Sequence, residues 1–340
     1  MLVMLYLIRE KNHYLVVVLF KFMGKSLFFP KFILLYRLMR YKIYGHRGCR
    51  ALLNENTLLA HNKALYLGVD MIDMDIMLTK DNIPIVFHDN KINNRNTYYR
   101  YGNYNYDKYI GSLTYQQLQD YYVGYPLSNR DMKLVKDFRF YNKCPIPSLK
   151  NSIINLINYN SNQQTNIGIQ LELKTEPTNR LETPSIVDLC NNVYQVLVDT
   201  DVLGKMPIEI QGFEWTTLVT MKKNDINNNC HYSFVTDNQL LSTIEFQRGL
   251  WTHHLLPCNY NHLIDMIKHL NGNIWCPYEG DITITDIEYA HHNNIKVVVW
   301  SSIEYSKKDI NIEKMRELID WNVDGIITDR PDKVYKLLNV

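Results

Sequence analysis

Two histidines in this 340-residue chain stand beside charged residues, where an imidazole is well placed to transfer protons. His46 lies in the run Gly45-His46-Arg47-Gly48, and His88 lies in Phe87-His88-Asp89. Because imidazole titrates near neutral pH, these two residues are candidates for an acid–base pair. Arg47 adds a planar guanidinium, a group that fits the oxygens of a phosphate.

Three carboxylates and a lysine occur in two further apolar runs. Asp73 and Asp75 lie in Ile72–Ile76, and Glu172 and Lys174 close a run that begins at Ile167. Residues two apart on a strand point to the same face, so each pair is expected to share one face. Buried like charges are costly unless a cation or a proton relieves them. Three converging carboxylates would suit Mg²⁺ or Ca²⁺ better than zinc.

The elements that would position these residues alternate between strand and helix from residue 42 onward. Such alternation predicts an α/β fold of parallel strands, and eight units would close a (β/α)8 or TIM barrel. Eight strands are predicted at Lys42–Gly45, Val69–Asp75, Ile83–His88, Ile167–Leu173, Ile208–Gln211, His231–Val235, Ile295–Trp300 and Gly325–Thr328. Ile274–Cys276 is a ninth candidate, so one of the nine does not belong to the barrel.

Functional residues of such a barrel lie at the carboxyl ends of its strands. His46, Asp75, His88 and Trp300 all fall at predicted strand ends, and in a closed barrel these ends face one mouth. Residues 90–147 break the alternation with a tyrosine-rich stretch, predicted to be an insertion after the third strand. No G-x-G-x-x-G follows the first strand and no P-loop occurs, which excludes the usual nucleotide-binding motifs.

The chain divides by composition into an apolar, basic segment at 1–40 and a body at 41–340. The net charge of +2 argues against broad binding to nucleic acid. Lysines and Pro30 interrupt the apolar runs of the first segment, so a spanning helix is disfavoured. Two interpretations remain open: contact with an anionic membrane surface, or extra helices packed on the body. Scattered cysteines indicate a reducing compartment, so we expect a cytoplasmic location with possible membrane association.

An ordered set of short motifs resembles the glycerophosphodiester phosphodiesterase family. The similarity covers about residues 42–335, and its longest elements are the G-x-D-x-I-E-x-D segment and the closing D-G-I-I-T-D-R-P block. The matching segments are His46–Gly48, Glu55–Thr57, Gly68–Asp75, His88-Asp89, Ile146–Leu149, Glu172–Lys174, Gln211–Phe213, Trp300-Ser301 and Asp324–Pro331.

The resemblance implies a TIM barrel enzyme that hydrolyses glycerophosphodiesters to glycerol 3-phosphate and an alcohol, with a role in lipid and glycerol metabolism. His46 and His88 would be its acid–base pair. Its divalent cation, Mg²⁺ or Ca²⁺, would be held by three carboxylates, and four residues would bind substrate. The implied metal ligands are Asp73, Asp75 and Glu172, and the implied substrate-binding residues are Arg47, Lys174, Glu55 and Trp300.

Two departures from the family pattern bear on these expectations. Asp73 replaces the usual glutamate, which shortens that side chain by one methylene and affects metal affinity or choice. Lys150-Asn151 replaces an acidic pair that often follows the I-P-T-L segment. Asp73 also motivates one alternative, a catalytically impaired binding protein. The apolar, basic first segment suggests another, a phospholipid- or lysophospholipid-cleaving enzyme of the same fold at a membrane. A sphingomyelinase-D-like enzyme is a more distant alternative, from which the Glu55–Thr57 and Asp324–Pro331 segments point away.

Overall fold

The computed structural model describes residues 2–10, 13–22, 25–26, 41–102, 107–124 and 135–338. Contacts divide the chain into two units, Met1–Tyr41 and Lys42–Val340. In the first unit, β1 (Leu2–Glu10), β2 (His13–Phe22) and β3 (Lys25–Ser26) form an antiparallel sheet in that order. The expectation of extra helices is therefore wrong for these residues, and the apolar run at 27–36 lies outside the described part.

Within the described ranges, no helix combines the length and apolar character that a transmembrane span requires. The expectation that residues 1–40 contact the surface of a membrane stays a prediction.

The second unit alternates strands with helices along most of its length. Its strands are β4 (Lys42–Gly45), β5 (Met71–Leu78), β6 (Pro84–Val86), β7 (Lys91–Ile92), β8 (Thr97–Tyr99), β9 (Lys108–Tyr109), β10 (Tyr121–Val123), β11 (Gly168–Leu173), β12 (Ile208–Gly212), β13 (His231–Thr236), β14 (Ile274–Pro277), β15 (Lys296–Ser301) and β16 (Gly325–Thr328). Its α-helices are α1 (Leu58–Leu67), α2 (Tyr115–Leu118), α3 (Leu149–Gln163), α4 (Ile186–Asp199), α5 (Trp215–Asn224), α6 (Asn238–Leu241), α7 (Ile244–Gln247), α8 (Leu263–His269), α9 (Ile284–His292), α10 (Ile303–Ser306), α11 (Ile312–Asp320) and α12 (Pro331–Leu338).

Eight parallel strands close the main sheet into a barrel. The order runs β11-β12-β13-β14-β15-β16-β4-β5, and β5 pairs back onto β11 to complete the ring. Pairing is parallel at every one of these joints. The predicted (β/α)8 TIM barrel is confirmed.

One of the nine strand candidates is outside the ring. Ile83–His88 was expected to be the third barrel strand, but β6 within it pairs antiparallel with the far end of β5. Only five residues separate the two strands, which is enough for a hairpin and too few for a parallel crossover. The third barrel strand is β11, and the ninth candidate, at β14, belongs to the ring. The insertion therefore follows the second barrel strand and not the third, which corrects the prediction.

The interior of the barrel is apolar in its middle layers and polar at its carboxyl end. Tyr44, Met71, Val235, Ile274, Cys276, Val298 and Ile327 pack together as an interior cluster. Alternation along each strand places every second residue on this inner side, so His46 follows Tyr44 and Asp73 follows Met71. Polar side chains are thereby carried inward at the strand ends, where the barrel opens.

Candidate active site

His46 lies directly after the first barrel strand, and the carboxylate of Asp329, which follows the last barrel strand, holds its ring. Its Nδ1 lies 2.5 Å from Oδ1 of Asp329, and both side chains are almost fully buried. Burial acts to raise the pKa of Asp329, but His46 and Arg50 hold it below its ordinary value. An ionised Asp329 accepts a hydrogen bond from Nδ1–H of His46, which leaves Nε2 as the ring nitrogen able to exchange a proton.

Arg47 occupies a tight turn that fixes its side chain over the carboxylates. Its backbone is left-handed, with φ of 50°, and Gly48 follows with φ of 84°. A Cβ on Gly48 would lie 2.7 Å from the backbone of Ala60 in α1, so a side chain there would push the turn away. The Arg47 Nε contacts Oδ2 of Asp75 at 3.0 Å, and its backbone N–H donates to Oδ2 of Asp73 at 3.1 Å.

The two aspartates of β5 face inward beside Glu172 of β11. Glu172 pairs in register with Asp75, and Asp73 also accepts a hydrogen bond from Nε2 of Gln211 at 2.8 Å. Burial raises the pKa of Asp73 to about 7; His46 opposes this shift, and the charges of Asp75 and Glu172 add to it. Burial also acts on Asp75, but Arg47 and other nearby cationic groups hold its pKa well below the ordinary value. The two carboxylates therefore differ in proton affinity although they share one face.

Lys174 lies between two of the three acidic side chains. Its Nζ is 2.6 Å from Oε1 of Glu172 and 3.5 Å from Oδ1 of Asp75. Burial lowers the pKa of Lys174, but these two carboxylates outweigh that effect and raise it. A positive charge therefore already occupies the space between Asp75 and Glu172.

His88 reaches the same mouth from the hairpin and not from a barrel strand. After β6 the chain returns across β5, where the Phe87 N–H donates to the Asp75 carbonyl at 2.9 Å. The Nδ1 of His88 lies 2.7 Å from Oδ1 of Asp89, and Oδ2 of Asp89 accepts from Nδ2 of Asn96 at 2.6 Å. Each of the two histidines is thus oriented through Nδ1 by an aspartate.

A cavity of about 310 Å³ at the barrel mouth, the inner cavity, brings most of these residues together. It is lined by His46, Arg47, His88, Glu172, Lys174, Gln211, Phe213, Val235, Asp237, Cys276, Trp300, Ser302, Glu304, Tyr305 and Ile327. An adjoining outer cavity of about 490 Å³ shares His88, Glu172, Lys174 and Phe213 with it and extends over the insertion.

Trp300 forms part of an aromatic wall on one side of the inner cavity. Its ring centroid lies 5.0 Å from those of Tyr278 and Tyr305, and 6.2 Å from that of Phe213. Its indole N–H donates to the Thr236 carbonyl at 3.1 Å, which fixes the plane of the ring. Such a wall offers apolar contact to the carbon atoms of a small substrate.

Glu55 is placed beside the site and is not among the residues that line the inner cavity. Its two carboxylate oxygens contact Arg47 Nη1 at 3.0 Å and Arg50 Nε at 2.9 Å. Arg50 in turn contacts Glu304 at 2.8 Å. Of the sequence-predicted site residues, the inner cavity brings together His46, His88, Arg47, Lys174, Glu172 and Trp300, while Asp73 and Asp75 lie beneath it, bonded to Arg47.

Sequence reasoning did not select several residues that complete the site. Asp329 follows the last barrel strand, so the strand-end rule that selected His46 would also have selected it. Asn56 donates to Oδ2 of Asp75 at 2.8 Å and lies in a motif segment that was recognised. No local sequence pattern marks Arg50 or Glu304, because the two residues pair across 254 positions of the chain.

The acidic residues match a hard divalent cation in the type of their donors. Oδ1 of Asp75 is buried and accepts no hydrogen bond from any described residue, and it lies 3.5 Å from the Lys174 ammonium group. Within the described ranges, no cluster of three or more His, Cys, Asp and Glu side chains is arranged to hold a metal as the side chains stand. Among the described residues that line the inner cavity or whose side chains bond to its lining, three are cations, Arg47, Arg50 and Lys174, and eight are acidic, Glu55, Asp73, Asp75, Asp89, Glu172, Asp237, Glu304 and Asp329. An anionic ligand would therefore require additional positive charge.

Comparison with known proteins identifies the family that this chain and its barrel fold resemble. The sequence profile of the glycerophosphoryl diester phosphodiesterase family matches residues 46–333. A glycerophosphodiester phosphodiesterase of Bacillus altitudinis is 24% identical over 298 residues, covering 87% of this chain and 97% of that protein.

Two solved structures share the fold. A Silicibacter pomeroyi protein assigned to the glycerophosphoryl diester phosphodiesterases superposes with a TM-score of 0.72 at 22% identity, covering 88% of this chain and 93% of that one. An Oleispira antarctica phosphodiesterase, solved in complex with the product sn-glycerol-3-phosphate, gives a TM-score of 0.64 at 18% identity, with 89% and 98% covered. The chain therefore belongs to the glycerophosphoryl diester phosphodiesterase family, a family of phosphoric diester hydrolases.

Proposed function

We propose that this protein hydrolyses glycerophosphodiesters to glycerol 3-phosphate and an alcohol. The observation that carries the proposal is that His46 and His88 line one cavity, each bonded through Nδ1 to an aspartate. Two oriented imidazoles allow one to remove a proton from the attacking hydroxyl or water while the other protonates the leaving alkoxide. The product bound to the Oleispira antarctica relative supports glycerol 3-phosphate as one product.

Arg47 and Lys174 are the proposed phosphate-binding residues. Arg47 is buried and Lys174 is partly exposed at the cavity wall, where a guanidinium fork and an ammonium group would stabilise charge on phosphoryl oxygens. Trp300 and its aromatic neighbours are proposed to contact the glycerol carbons. The outer cavity, which His88 also lines, then has room for the leaving alcohol.

Asp73, Asp75 and Glu172 are the proposed ligands of a divalent cation, Mg²⁺ or Ca²⁺. Three observations support this assignment: the three side chains offer hard oxygen donors, Oδ1 of Asp75 accepts no hydrogen bond from a described residue, and acidic side chains at the site outnumber the cations. When bound, such an ion supplies Lewis-acid stabilisation of the phosphoryl oxygens. Asp73 is shorter than the glutamate of the family pattern, and its carboxylate accepts hydrogen bonds from the Arg47 backbone N–H and from Nε2 of Gln211.

A catalytically impaired binding protein is the less favoured alternative. Both histidines, both phosphate-binding cations and Glu172 share one cavity, which supports an active enzyme. Purified protein should release glycerol 3-phosphate from glycerophosphocholine when Mg²⁺ or Ca²⁺ is present and should lose this activity in EDTA. Absence of turnover on glycerophosphocholine, glycerophosphoethanolamine and lysophospholipid with either ion would reject the proposal that the protein is an active phosphodiesterase.

A further inference from the structure

Arg50 is a buried cation to which neither the sequence motifs nor the proposed mechanism assigns a role. Its side chain is 0% exposed, and it is not among the residues that line either cavity. Its guanidinium contacts Glu55 at 2.9 Å, Glu304 at 2.8 Å and the hydroxyl of Ser302 at 3.3 Å. A permanent charge is costly to bury, so a site that satisfies it this fully requires a physical explanation.

Both carboxylates that pair with Arg50 also contact Arg47. Glu55 lies 3.0 Å from Nη1 of Arg47, and Glu304 lies 3.9 Å from the same atom. Arg47, Glu55, Arg50 and Glu304 therefore form a ring of alternating charge, referred to below as the ion-pair ring. Without Arg50, the two glutamates would be left with Arg47 as their shared cation, in addition to the contact that Arg47 makes with Asp75.

The ion-pair ring also fixes the start of α10, the short helix after β15. Ser302, which precedes α10, and Glu304 and Tyr305 within it line the inner cavity, and Arg50 bonds the first two. The N–H of Ile303, the first residue of α10, donates to Oδ2 of Asp329 at 2.7 Å, so the aspartate that orients His46 anchors the same helix. Arg50 and Asp329 together therefore determine how this wall stands relative to Arg47.

We propose that Arg50 is a positioning residue for phosphate binding: it holds and neutralises Glu55 and Glu304, and so keeps the Arg47 guanidinium available to an anion in the inner cavity. The inference rests on the proposed function in one respect, because the role of Arg47 as a phosphate ligand is assigned there. Arg50 itself acts through its neighbours and does not touch the substrate.

The test compares Arg50→Met, Arg50→Lys, Glu304→Gln and the double variant R50M/E304Q in the full chain with Mg²⁺ present. Calorimetry gives the Kd of inorganic phosphate, and steady-state kinetics on glycerophosphocholine give kcat and KM. R50M should weaken phosphate binding and raise KM by roughly tenfold or more, with kcat changed less than about threefold, because the loss of an interaction made equally with bound substrate and transition state changes KM and leaves kcat. R50K should recover part of the loss.

The double variant tests the mechanism by which Arg50 acts. If Arg50 offsets the charge of Glu304, then removing that charge should restore much of the phosphate affinity lost in R50M, as a non-additive double-mutant cycle. Arg180→Met is the control, since it removes the half-exposed arginine that pairs with the buried Glu214 outside both cavities. The phosphate Kd and KM of R180M should equal those of the wild type.

A purely structural role for Arg50 predicts a different result. In that case R50M would lose thermal stability and kcat together while KM and the phosphate Kd stay within about twofold, and the proposal would be overturned. If R50M does not fold, E304Q alone decides: it should tighten phosphate binding several-fold by removing a carboxylate that competes for Arg47. Unchanged or weaker binding in E304Q would contradict the proposal.

The phosphate Kd measured by calorimetry tests the role of Arg50 separately from the proposed function. A wild-type protein that binds phosphate but does not turn over glycerophosphodiesters would reject the proposed function, and the R50M and E304Q affinities would still decide on Arg50. An active wild type with unchanged phosphate affinity in R50M would reject the role of Arg50 alone.

Discussion

Asp329 and His46 are 283 positions apart in the sequence, yet Oδ1 of Asp329 and Nδ1 of His46 are 2.5 Å apart. Closure of the barrel makes this possible, because β16 and β4 are neighbours and Thr328 pairs in register with Gly45. The second carboxylate oxygen of Asp329 accepts from the first N–H of α10, the short helix that bears Glu304. One buried aspartate thus orients a candidate catalytic imidazole and anchors a wall of the cavity.

Asp329→Asn should lower kcat by about a hundredfold or more, within the range of general acid–base contributions. The amide carries no charge to stabilise an imidazolium, and it permits the wrong histidine tautomer. Asp89→Asn makes the matching change at His88 and should also reduce kcat. Circular dichroism and melting temperature should stay close to wild type. A kcat of D329N within threefold of wild type would show that His46 does not depend on this bond.

The two histidines should differ in their response to the leaving group. His46→Ala and His88→Ala are each expected to lose at least about a hundredfold in kcat on glycerophosphocholine. In the p-nitrophenyl ester of glycerol 3-phosphate, the leaving p-nitrophenolate is a weak base and needs no proton. The variant that lacks the general acid should therefore recover most of its rate with that substrate. The variant that lacks the general base should not recover. Equal recovery of both variants, or full activity of either on the choline ester, would contradict the paired assignment.

Metal removal should abolish activity, and the length of residue 73 should affect metal affinity. Dialysis against EDTA is expected to eliminate turnover, with recovery on addition of Mg²⁺ or Ca²⁺. Asp75→Asn and Glu172→Gln should raise the metal concentration needed for half-maximal activity by about tenfold or more, because each removes a charged donor. Asp73→Glu restores the family pattern and should lower that concentration. Full activity in EDTA would remove the metal from the proposal.

Acid should destabilise the fold partly through His61 on α1. Its ring is fully buried, neither ring nitrogen has a hydrogen-bond partner within the described residues, and burial lowers its pKa to about 3. Between about pH 6.5 and 3 the unfolded chain binds this proton and the folded chain does not, so stability falls as the pH drops below 6.5. The loss is about 1.4 kcal/mol per pKa unit of difference. Above pH 6.5 the group is neutral in both states and contributes no slope.

His61→Phe should flatten that part of the stability profile. Urea unfolding at pH 7 and pH 5 measures the effect, and the difference between the two should shrink in H61F. Substitution of His292, an exposed histidine on α9, is the control and should leave the difference unchanged. An unchanged difference in H61F would show that the buried ring is not the group that responds to acid.

Removal of positive charge from residues 1–40 tests whether this segment contacts an anionic membrane surface. Replacement of Lys21, Lys25 and Lys31 with glutamine should reduce co-sedimentation of the full chain with phosphatidylglycerol vesicles, because each basic residue near an anionic surface contributes about 1 kcal/mol. Activity on soluble glycerophosphocholine should be unchanged. Equal sedimentation of both proteins, or none with the wild type, would exclude electrostatic contact through this segment.

The sequence by itself determined the fold class and selected most of the residues of the candidate site. Alternation of strands and helices requires crossover connections, and the period of two along a strand places Asp73 and Asp75 on one face whatever surrounds them. The glycine turn at Gly45–Gly48 and the strand-end positions of His46, Glu172 and Trp300 are equally local properties. Such features are readable from sequence because each depends on a few neighbouring residues.

The tertiary structure decided which distant groups meet. An apolar run such as Ile83–His88 reads the same in a barrel strand and in a hairpin, and only its antiparallel pairing with β5 excluded it from the ring. The Asp329–His46 bond and the Arg50 contacts to Glu304 and Ser302 depend on closure of eight strands, which no local pattern encodes. Side chains that join opposite ends of the chain become neighbours only when the register of every intervening strand is set.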